Sequence, residues 1–107
     1  MQDILDAIAK IEAYISEANY EEFLENTMLI DSVNMNLMII GEATKNLSTE
    51  FQNQYTDVDW RNIAGLRNII THEYFRLNLK LIWDVIENEL PKLKEQVKEI
   101  LEDVDNG

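Results

Sequence analysis

Three side chains suited to acid–base and phosphate chemistry lie close together in the sequence. Arg67, His72 and Tyr74 belong to the stretch GLRNIITHEYF, Gly65–Phe75, and His72 is the only histidine of the chain. A guanidinium carries a permanent charge whose geometry matches phosphate. An imidazole gives or takes a proton near neutral pH. Together they supply proton transfer and stabilisation of charge on phosphoryl oxygens, which are the two requirements for cleaving a phosphodiester without a metal.

Helical periodicity gathers these groups beside a buried face. On a helix that begins at Trp60 and advances by ~100° per residue, three apolar side chains fall on one side and are predicted to be buried. Those side chains are Ile63, Leu66 and Ile70. A polar strip runs next to them, and it consists of Arg67, Asn68, Thr71 and His72. Asn68 and His72 are four residues apart, so their side chains are neighbours on such a helix.

Each of these residues also has a structural interpretation. A lone histidine near the C-terminal end of a helix is more often a cation that favours the helix dipole than a catalyst. Arg67 alone is more often a salt-bridge partner, for which Glu42 and Glu73 are the candidates. Tyr74 alone is most often an amphipathic residue at the edge of a core. Residue types by themselves therefore leave catalysis and structure both open.

Length and composition indicate one domain, residues 1–107, with a core drawn from a 46% hydrophobic composition. Cysteine is absent, so neither a disulfide nor a thiolate metal site is possible. The start of the chain is acidic and amphipathic, which is unlike a signal peptide. No apolar run approaches the ~18 residues of a membrane span. We therefore expect a cytoplasmic protein with no membrane partner, no metal and no cofactor.

Charge is distributed unevenly along the chain, whose formal net charge is −12. Such a balance opposes general adhesion to nucleic acid or to an anionic membrane. The segment 45–80 differs, because it carries five basic residues against four acidic ones and includes every arginine. An anionic ligand is therefore expected to bind there, weakly and within a cleft. The candidate phosphate contacts beyond Arg67 are Lys45, Arg76 and Lys80.

The surrounding elements read as an all-α bundle of four to five helices. The second predicted helix is apolar on so much of its circumference that it is central or faces a second subunit. Asp59 is predicted to be the N-cap of the helix that begins at Trp60, and Pro91 is predicted to kink or break the last helix. The expected segments are helix Asp3–Ser16, helix Glu21–Leu47, loop Ser48–Asp59, helix Trp60–Tyr74, a last helix from Asn78 or Leu79, and a frayed tail at 103–107.

Longer stretches of the sequence carry a family resemblance. The segments IIGEATKNLS, DWRNIAGLRNIITHEYF and IW, in this order, resemble the HEPN superfamily. Within it they are most similar to the HepT-like toxins encoded beside minimal nucleotidyltransferase antitoxins. The family hallmark is arginine, four residues, histidine, one residue and tyrosine, which corresponds to Arg67, His72 and Tyr74. Gly41–Ala43, Trp60 and Trp83 also match, and the similarity covers about residues 4 to 95.

This resemblance implies a homodimeric HEPN-type bundle whose cleft gathers two copies of the motif. It implies a type VII-like toxin–antitoxin system and metal-independent endoribonuclease activity, with Arg67 and His72 catalytic. The expected supporting residues are Asn68, Thr71 and Glu42. Tyr74 would be the residue to which the partner nucleotidyltransferase attaches AMP.

The alternative is a non-catalytic HEPN module that docks a nucleotidyltransferase or holds a nucleotide, and the low positive charge favours this reading. A structural dimer with no ligand becomes the best account only if Arg67 and His72 point into separate packed environments.

Overall fold

The computed structural model describes residues 1–71 and 79–106. Within these ranges every regular element is helical, which confirms the all-α fold class. The elements are α1 (Gln2–Ile15), α2 (Tyr20–Glu25), α3 (Thr27–Lys45), α4 (Thr49–Gln54), α5 (Trp60–Ala64), α6 (Leu66–Thr71), α7 (Leu79–Asp84), a π-helical turn (Val85–Glu89) and α8 (Leu90–Asn106). Helix α1 agrees with its predicted bounds to within one residue. No helix in the described part of the chain is long and apolar enough to cross a membrane.

Helix α3 lies at the centre of the bundle, packed against α1 on one side and against α5 and α6 on another. Helix α1 is amphipathic, and it turns a stripe of side chains that are at most 2% exposed toward the core. Those side chains are Ile4, Ala7, Ile8 and Ile11. The apolar character of α3 also extends to its outer face, where Met28, Met35 and Ile39 are exposed. Helix α3 is thus central and also carries an apolar surface that this chain leaves uncovered.

The predicted second helix, Glu21–Leu47, is wrong in one respect, because it is two helices separated at Asn26. The backbone of Asn26 is extended, with φ −107° and ψ 94°. Its side-chain oxygen accepts a hydrogen bond from the Leu29 amide at 3.0 Å, which makes it the N-cap of α3. Helix α2 begins in the same manner at Asn19, whose side chain forms a capping box with Glu22. Asparagine competes well for such backbone donors, so it favours a cap over a helix interior.

The predicted loop Ser48–Asp59 is also wrong in part, because it contains helix α4. The Ser48 hydroxyl accepts a hydrogen bond from the Phe51 amide at 3.0 Å and caps this short helix. Phe51 packs against Tyr55 and Trp60, with ring centroids 5.1 and 6.3 Å apart. Aromatic packing therefore holds a helix that is too short to be stable alone.

The sequence predicts a kink or a break at Pro91, and the break is wrong, because residues 79–106 are helical throughout. Proline has no amide hydrogen, and its ring clashes with the carbonyl four residues earlier in a regular α-helix. Here the chain widens just before the proline, and the Leu90 amide donates to the Val85 carbonyl, five residues back. The expected tail at 103–107 lies within α8 as far as Asn106.

Candidate functional site

The helix that carries the motif begins where the sequence predicted. The Asp59 carboxylate accepts a hydrogen bond from the Asn62 amide at 3.3 Å, which confirms Asp59 as the N-cap. The Trp60 indole donates to the Tyr55 carbonyl at 3.0 Å and is buried. The motif helix itself is divided at Gly65 into α5 and α6, so a single helix from Trp60 was an oversimplification.

The buried face of α5 and α6 agrees in part with the one that helical periodicity predicts. Leu66 and Ile70 are 9% and 8% exposed, whereas Ile63 is only half-buried. Trp60, which the periodicity does not place with them, is 6% exposed. Gly65 keeps right-handed helical angles, with φ −67° and ψ −15°, so the division changes the direction of the helical face only slightly. Asn68 is exposed on α6, and Thr71 is the last residue of that helix.

Helix α3 approaches the start of α6 very closely at Gly41. A Cβ atom on Gly41 would lie 3.1 Å from the Arg67 amide nitrogen and 3.3 Å from the Arg67 Cβ. It would also lie 3.4 Å from the Ala64 carbonyl oxygen. A side chain at this position would force its neighbours on α5 and α6 to shift by a few tenths of an ångström, so glycine allows the closest approach of the helices. Sequence reasoning noted Gly41 as part of a family pattern but did not foresee this role, since the separation of two helices is a property of the fold.

This crossing brings Arg67 to Glu42, which is the next residue on α3. The Arg67 Nε lies 2.5 Å from the Glu42 Oε1. The side chains of Arg67 and Glu42 are 41% and 43% exposed, so the pair stands at the surface rather than in the core. An exposed ion pair contributes only about 0–1 kcal/mol to stability. Its clearer effect is to hold the guanidinium in one orientation at a site that solvent reaches.

Two further predicted cations, Lys45 and Lys80, lie at different places. Lys45 is exposed on the last turn of α3, three residues after Glu42 and so on a neighbouring part of the helix surface. Lys80 is exposed near the start of α7, where its ammonium lies 5.7 Å from the centroid of the Tyr20 ring. This contact is of the cation–π type. The structure therefore links Lys80 to α2.

Three predicted site residues, His72, Tyr74 and Arg76, lie outside the described residues. Of the predicted set, the described part of the chain brings Arg67 and Glu42 into direct contact. The exposed stripe of α3 leads to this pair: Met28, Met35, Ile39 and Glu42 follow one another at spacings of seven, four and three residues. Such spacings keep side chains on one face of a helix.

Two further features of the described residues concern metal binding and a perturbed pKa. Residues 1–71 and 79–106 contain no group of three or more His, Cys, Asp or Glu side chains placed to hold a metal ion. A perturbed tyrosine lies elsewhere: the Tyr55 hydroxyl donates a hydrogen bond to the Asp103 carboxylate at 2.6 Å. This hydrogen bond, aided by desolvation and by the carboxylate charge, raises the pKa of Tyr55 above its ordinary value of 10.0.

Comparison with known proteins shows the family to which this chain belongs. The family model described as ribonuclease HepT-like matches residues 4–100. The chain therefore belongs to the HepT-like ribonuclease family of the HEPN superfamily, which confirms the resemblance predicted from the sequence.

Individual relatives agree with this assignment. The chain is 38% identical over 102 residues to the "Putative RNase TTE0752" of Caldanaerobacter subterraneus, and the match covers 95% of this chain and 91% of the relative. It is 33% identical to the "Probable ribonuclease HepT" of Thermococcus cleftensis, over 88% of this chain and 86% of that protein.

A longer relative is the "Gamma-glutamylcyclotransferase and putative RNase MJ0434" of Methanocaldococcus jannaschii. It is 37% identical over all 107 residues, and the chain spans 48% of its length. No solved structure gives a significant match to the chain.

Proposed function

We propose that the protein is an endoribonuclease that cleaves RNA without a metal, with Arg67 and His72 as its catalytic residues. The observation that carries this proposal is the Arg67–Glu42 pair. It is held at the α3–α6 crossing, it is about two-fifths exposed, and it lies in a chain that the HepT-like ribonuclease family matches over residues 4–100. A guanidinium fixed at the surface can receive a phosphodiester without first giving up its orientation.

The proposed reaction is attack of a ribose 2′-hydroxyl on the adjacent phosphorus. His72 takes the proton of that hydroxyl, the new P–O bond forms, and the bond to the 5′-oxygen breaks to give a 2′,3′-cyclic phosphate. The 5′-oxygen leaves with a proton delivered by an imidazolium, and Arg67 stabilises the charge on the phosphoryl oxygens. One chain offers only one histidine, so two protomers that share a cleft would supply both the base and the acid.

The exposed stripe of α3 supports such pairing. Met28 and Met35 are 80% and 64% exposed, and Ile39 follows on the same face. A row of large apolar side chains in water favours an interface. A second copy that packs two-fold along this row would bring both Arg67–Glu42 pairs toward one cleft. Met35→Arg should then yield a monomer in sedimentation velocity and a loss of cleavage, whereas Leu24→Arg on exposed α2 should leave both unchanged.

We further propose that the chain is a cytoplasmic toxin of a type VII-like toxin–antitoxin pair, which a minimal nucleotidyltransferase silences by attaching AMP to Tyr74. Family resemblance supports this part of the proposal. A bulky anionic adduct near Arg67 would compete with the RNA phosphate. Incubation with the partner and ATP, followed by mass spectrometry, tests the assignment, and adenylyl groups on other residues only would contradict it. Asn68 and Thr71 would support the motif, and Lys45, Arg76 and Lys80 would contact RNA phosphates.

The decisive experiment compares substitutions at the two proposed catalytic residues with the substitution of an arginine outside the site. Arg67→Ala and His72→Ala should abolish cleavage of a labelled single-stranded RNA and relieve growth arrest in cells, with thermal unfolding unchanged. Arg61→Ala removes an exposed arginine from α5 and should leave cleavage intact. Cleavage at parental rates in both motif variants would refute the proposal. A parent protein that leaves RNA intact in large excess, yet binds a nucleotidyltransferase tightly, would favour the non-catalytic module instead.

A further inference from the structure

A groove separates the motif helices from the C-terminal helix, on a face that the ribonuclease proposal does not use. It encloses about 350 Å³ between α5–α6 and the continuous helix formed by α7, the π-helical turn and α8. Ala64 and Arg67 face α3 on one side of the motif helices, whereas Leu66 and Ile69 line the groove on the other. The groove is therefore distinct from the Arg67–Glu42 site.

The interior of the groove is apolar. Leu66, Leu90 and Leu93 are buried at its floor, and half-buried side chains form its walls. Those wall residues are Ile63, Ile69 and Val85. Leu81 stands at the mouth and is 45% exposed, although it is a large apolar side chain. An apolar gap of this size, which the described residues leave open between two helical walls, is suited to receiving side chains of another molecule.

The rim of the groove is acidic. Asp59, Asp84 and Glu89 contribute three carboxylates, whereas Lys92 contributes the one ammonium among the lining residues. An RNA phosphate backbone would be repelled here. A second copy that paired two-fold at this groove would set the same carboxylates against each other and would meet similar repulsion. A partner that carries basic groups beside an apolar surface would instead complement both the floor and the rim.

The length of the groove indicates the shape of that partner. The C-terminal wall extends from Leu81 to Gln96, which corresponds to about 22 Å of helix at ~1.5 Å per residue. At the far end the Gln96 side chain donates to the Asp57 carbonyl at 2.9 Å and ties α8 to the turn that precedes α5. A long apolar channel with a polar rim fits an amphipathic helix, whose anchors recur at i, i+3 or i+4, and i+7.

We propose that this groove binds an amphipathic helix of a partner protein, with large apolar side chains on one face and lysine or arginine on the flanks. The apolar face of the partner helix fills the space above Leu66 and Leu93, and its basic side chains contact Asp84 and Glu89. The proposal concerns a protein partner and does not depend on RNA cleavage.

The probes are labelled helical peptides of about 16 residues, a length that matches the groove wall. One set carries leucines at i, i+4, i+7 and i+11 with lysines on both flanks. A second has the same composition in scrambled order, and a third replaces lysine with glutamate. Fluorescence anisotropy should show that the periodic basic peptides bind at least ten-fold more tightly than either control. Equal affinity for the scrambled peptides, or no binding by any periodic basic peptide up to about 1 mM, overturns the proposal.

Variants locate the binding to this groove. Leu81→Arg should weaken the periodic basic peptide at least ten-fold, whereas Leu24→Arg, which changes a leucine of similar exposure (41%) on α2, should not. The double change Asp84→Lys and Glu89→Lys should shift the preference toward the glutamate peptide. Unchanged binding by Leu81→Arg would refute the site. Displacement of the peptide by single-stranded RNA, or a different oligomeric mass of Leu81→Arg, would assign the groove to RNA or to a second copy instead.

Discussion

Replacing Gly41 with alanine tests whether the contact between α3 and α6 positions Arg67. Two opposing effects set the outcome. Alanine is about 1 kcal/mol better than glycine inside a helix, which by itself would stabilise the 19-residue helix α3. The added Cβ, however, would lie 3.1 Å from the Arg67 amide nitrogen and 3.3 Å from its Cβ, and overpacking of this kind costs about 1–3 kcal/mol.

When the gain in helix propensity is subtracted from the cost of overpacking, Gly41→Ala is predicted to destabilise the protein by about 0–2 kcal/mol. In a domain of this size 1 kcal/mol lowers the melting temperature by about 4–8 °C. Because the obstructing atoms belong to Arg67, RNA cleavage should fall by more than the loss of folded protein explains. Thermal unfolding by circular dichroism and single-turnover cleavage, both at a temperature where the variant is folded, separate the two effects.

Gly65→Ala provides the matched control. Gly65 has helical angles, and its added Cβ would meet only carbonyl groups of the preceding turn, at 3.3 Å and beyond. Alanine at such a position is expected to be neutral or to stabilise by up to about 1 kcal/mol. The reasoning is refuted if Gly41→Ala stabilises the protein as much as Gly65→Ala does and leaves cleavage unchanged.

Three further predictions concern separate contacts. Glu42→Gln removes a carboxylate that competes with RNA for the Arg67 guanidinium. KM for RNA should therefore fall about two- to five-fold, since exposed ion pairs are worth up to about 1 kcal/mol. The kcat of cleavage should also fall, because the guanidinium loses its fixed orientation. Asn26→Ala removes the α3 cap and should cost about 1 kcal/mol in urea unfolding. The hydrogen bond from Tyr55 to Asp103 raises the pKa of Tyr55. The stabilisation that this bond gives the folded protein is therefore present below about pH 10 and is lost as the pH rises through the higher pKa of the folded state. Tyrosine absorbance and unfolding, both followed as a function of pH, measure the effect.

Each of the three has an outcome that contradicts it. An unchanged or higher KM in Glu42→Gln would show that the carboxylate does not compete with RNA. Equal stabilities of Asn26→Ala and the parent would show that the cap is not needed. A Tyr55→Phe variant serves as the control for the titration, and an alkaline stability profile identical to that of the parent would remove the hydrogen bond to Asp103 as the cause.

Local signals in the sequence predicted some of the fold and failed at particular residues. Asp59 was predicted as a cap because it directly precedes a periodic apolar helix, and the structure confirms it. Asn26 was missed because Phe23 and Ile30 are seven residues apart, a spacing that a continuous helix also gives. Helix α4 was missed because its stability comes from Phe51 packing on Tyr55 and Trp60, and both of these residues lie outside α4 itself.

At the candidate site, too, features set by the local sequence could be predicted, and features set by the packing of one helix on another could not. The burial of Leu66 and Ile70 followed from spacing alone, since it depends only on helical geometry. Glu42 was one of two candidate partners of Arg67, and the structure shows this pair because α3 packs on α6, whereas the other candidate, Glu73, lies outside the described residues. The close approach at Gly41 could not be predicted, because the distance between two helices depends on every side chain between them.

The π-helical turn before Pro91 sets the direction in which the rest of the last helix faces. Ile82, Ile86 and Leu90 are successive buried residues, each four positions after the last, a spacing that drifts off a regular α-helical face but suits a widened turn. A widened turn takes up one extra residue, so closing Val85–Glu89 as a regular α-helix with every residue kept would rotate everything after it by ~100°. The buried row that continues to Ile100 would then turn away from the core, so removing one residue from this turn should be tolerated better than losing the wide turn itself.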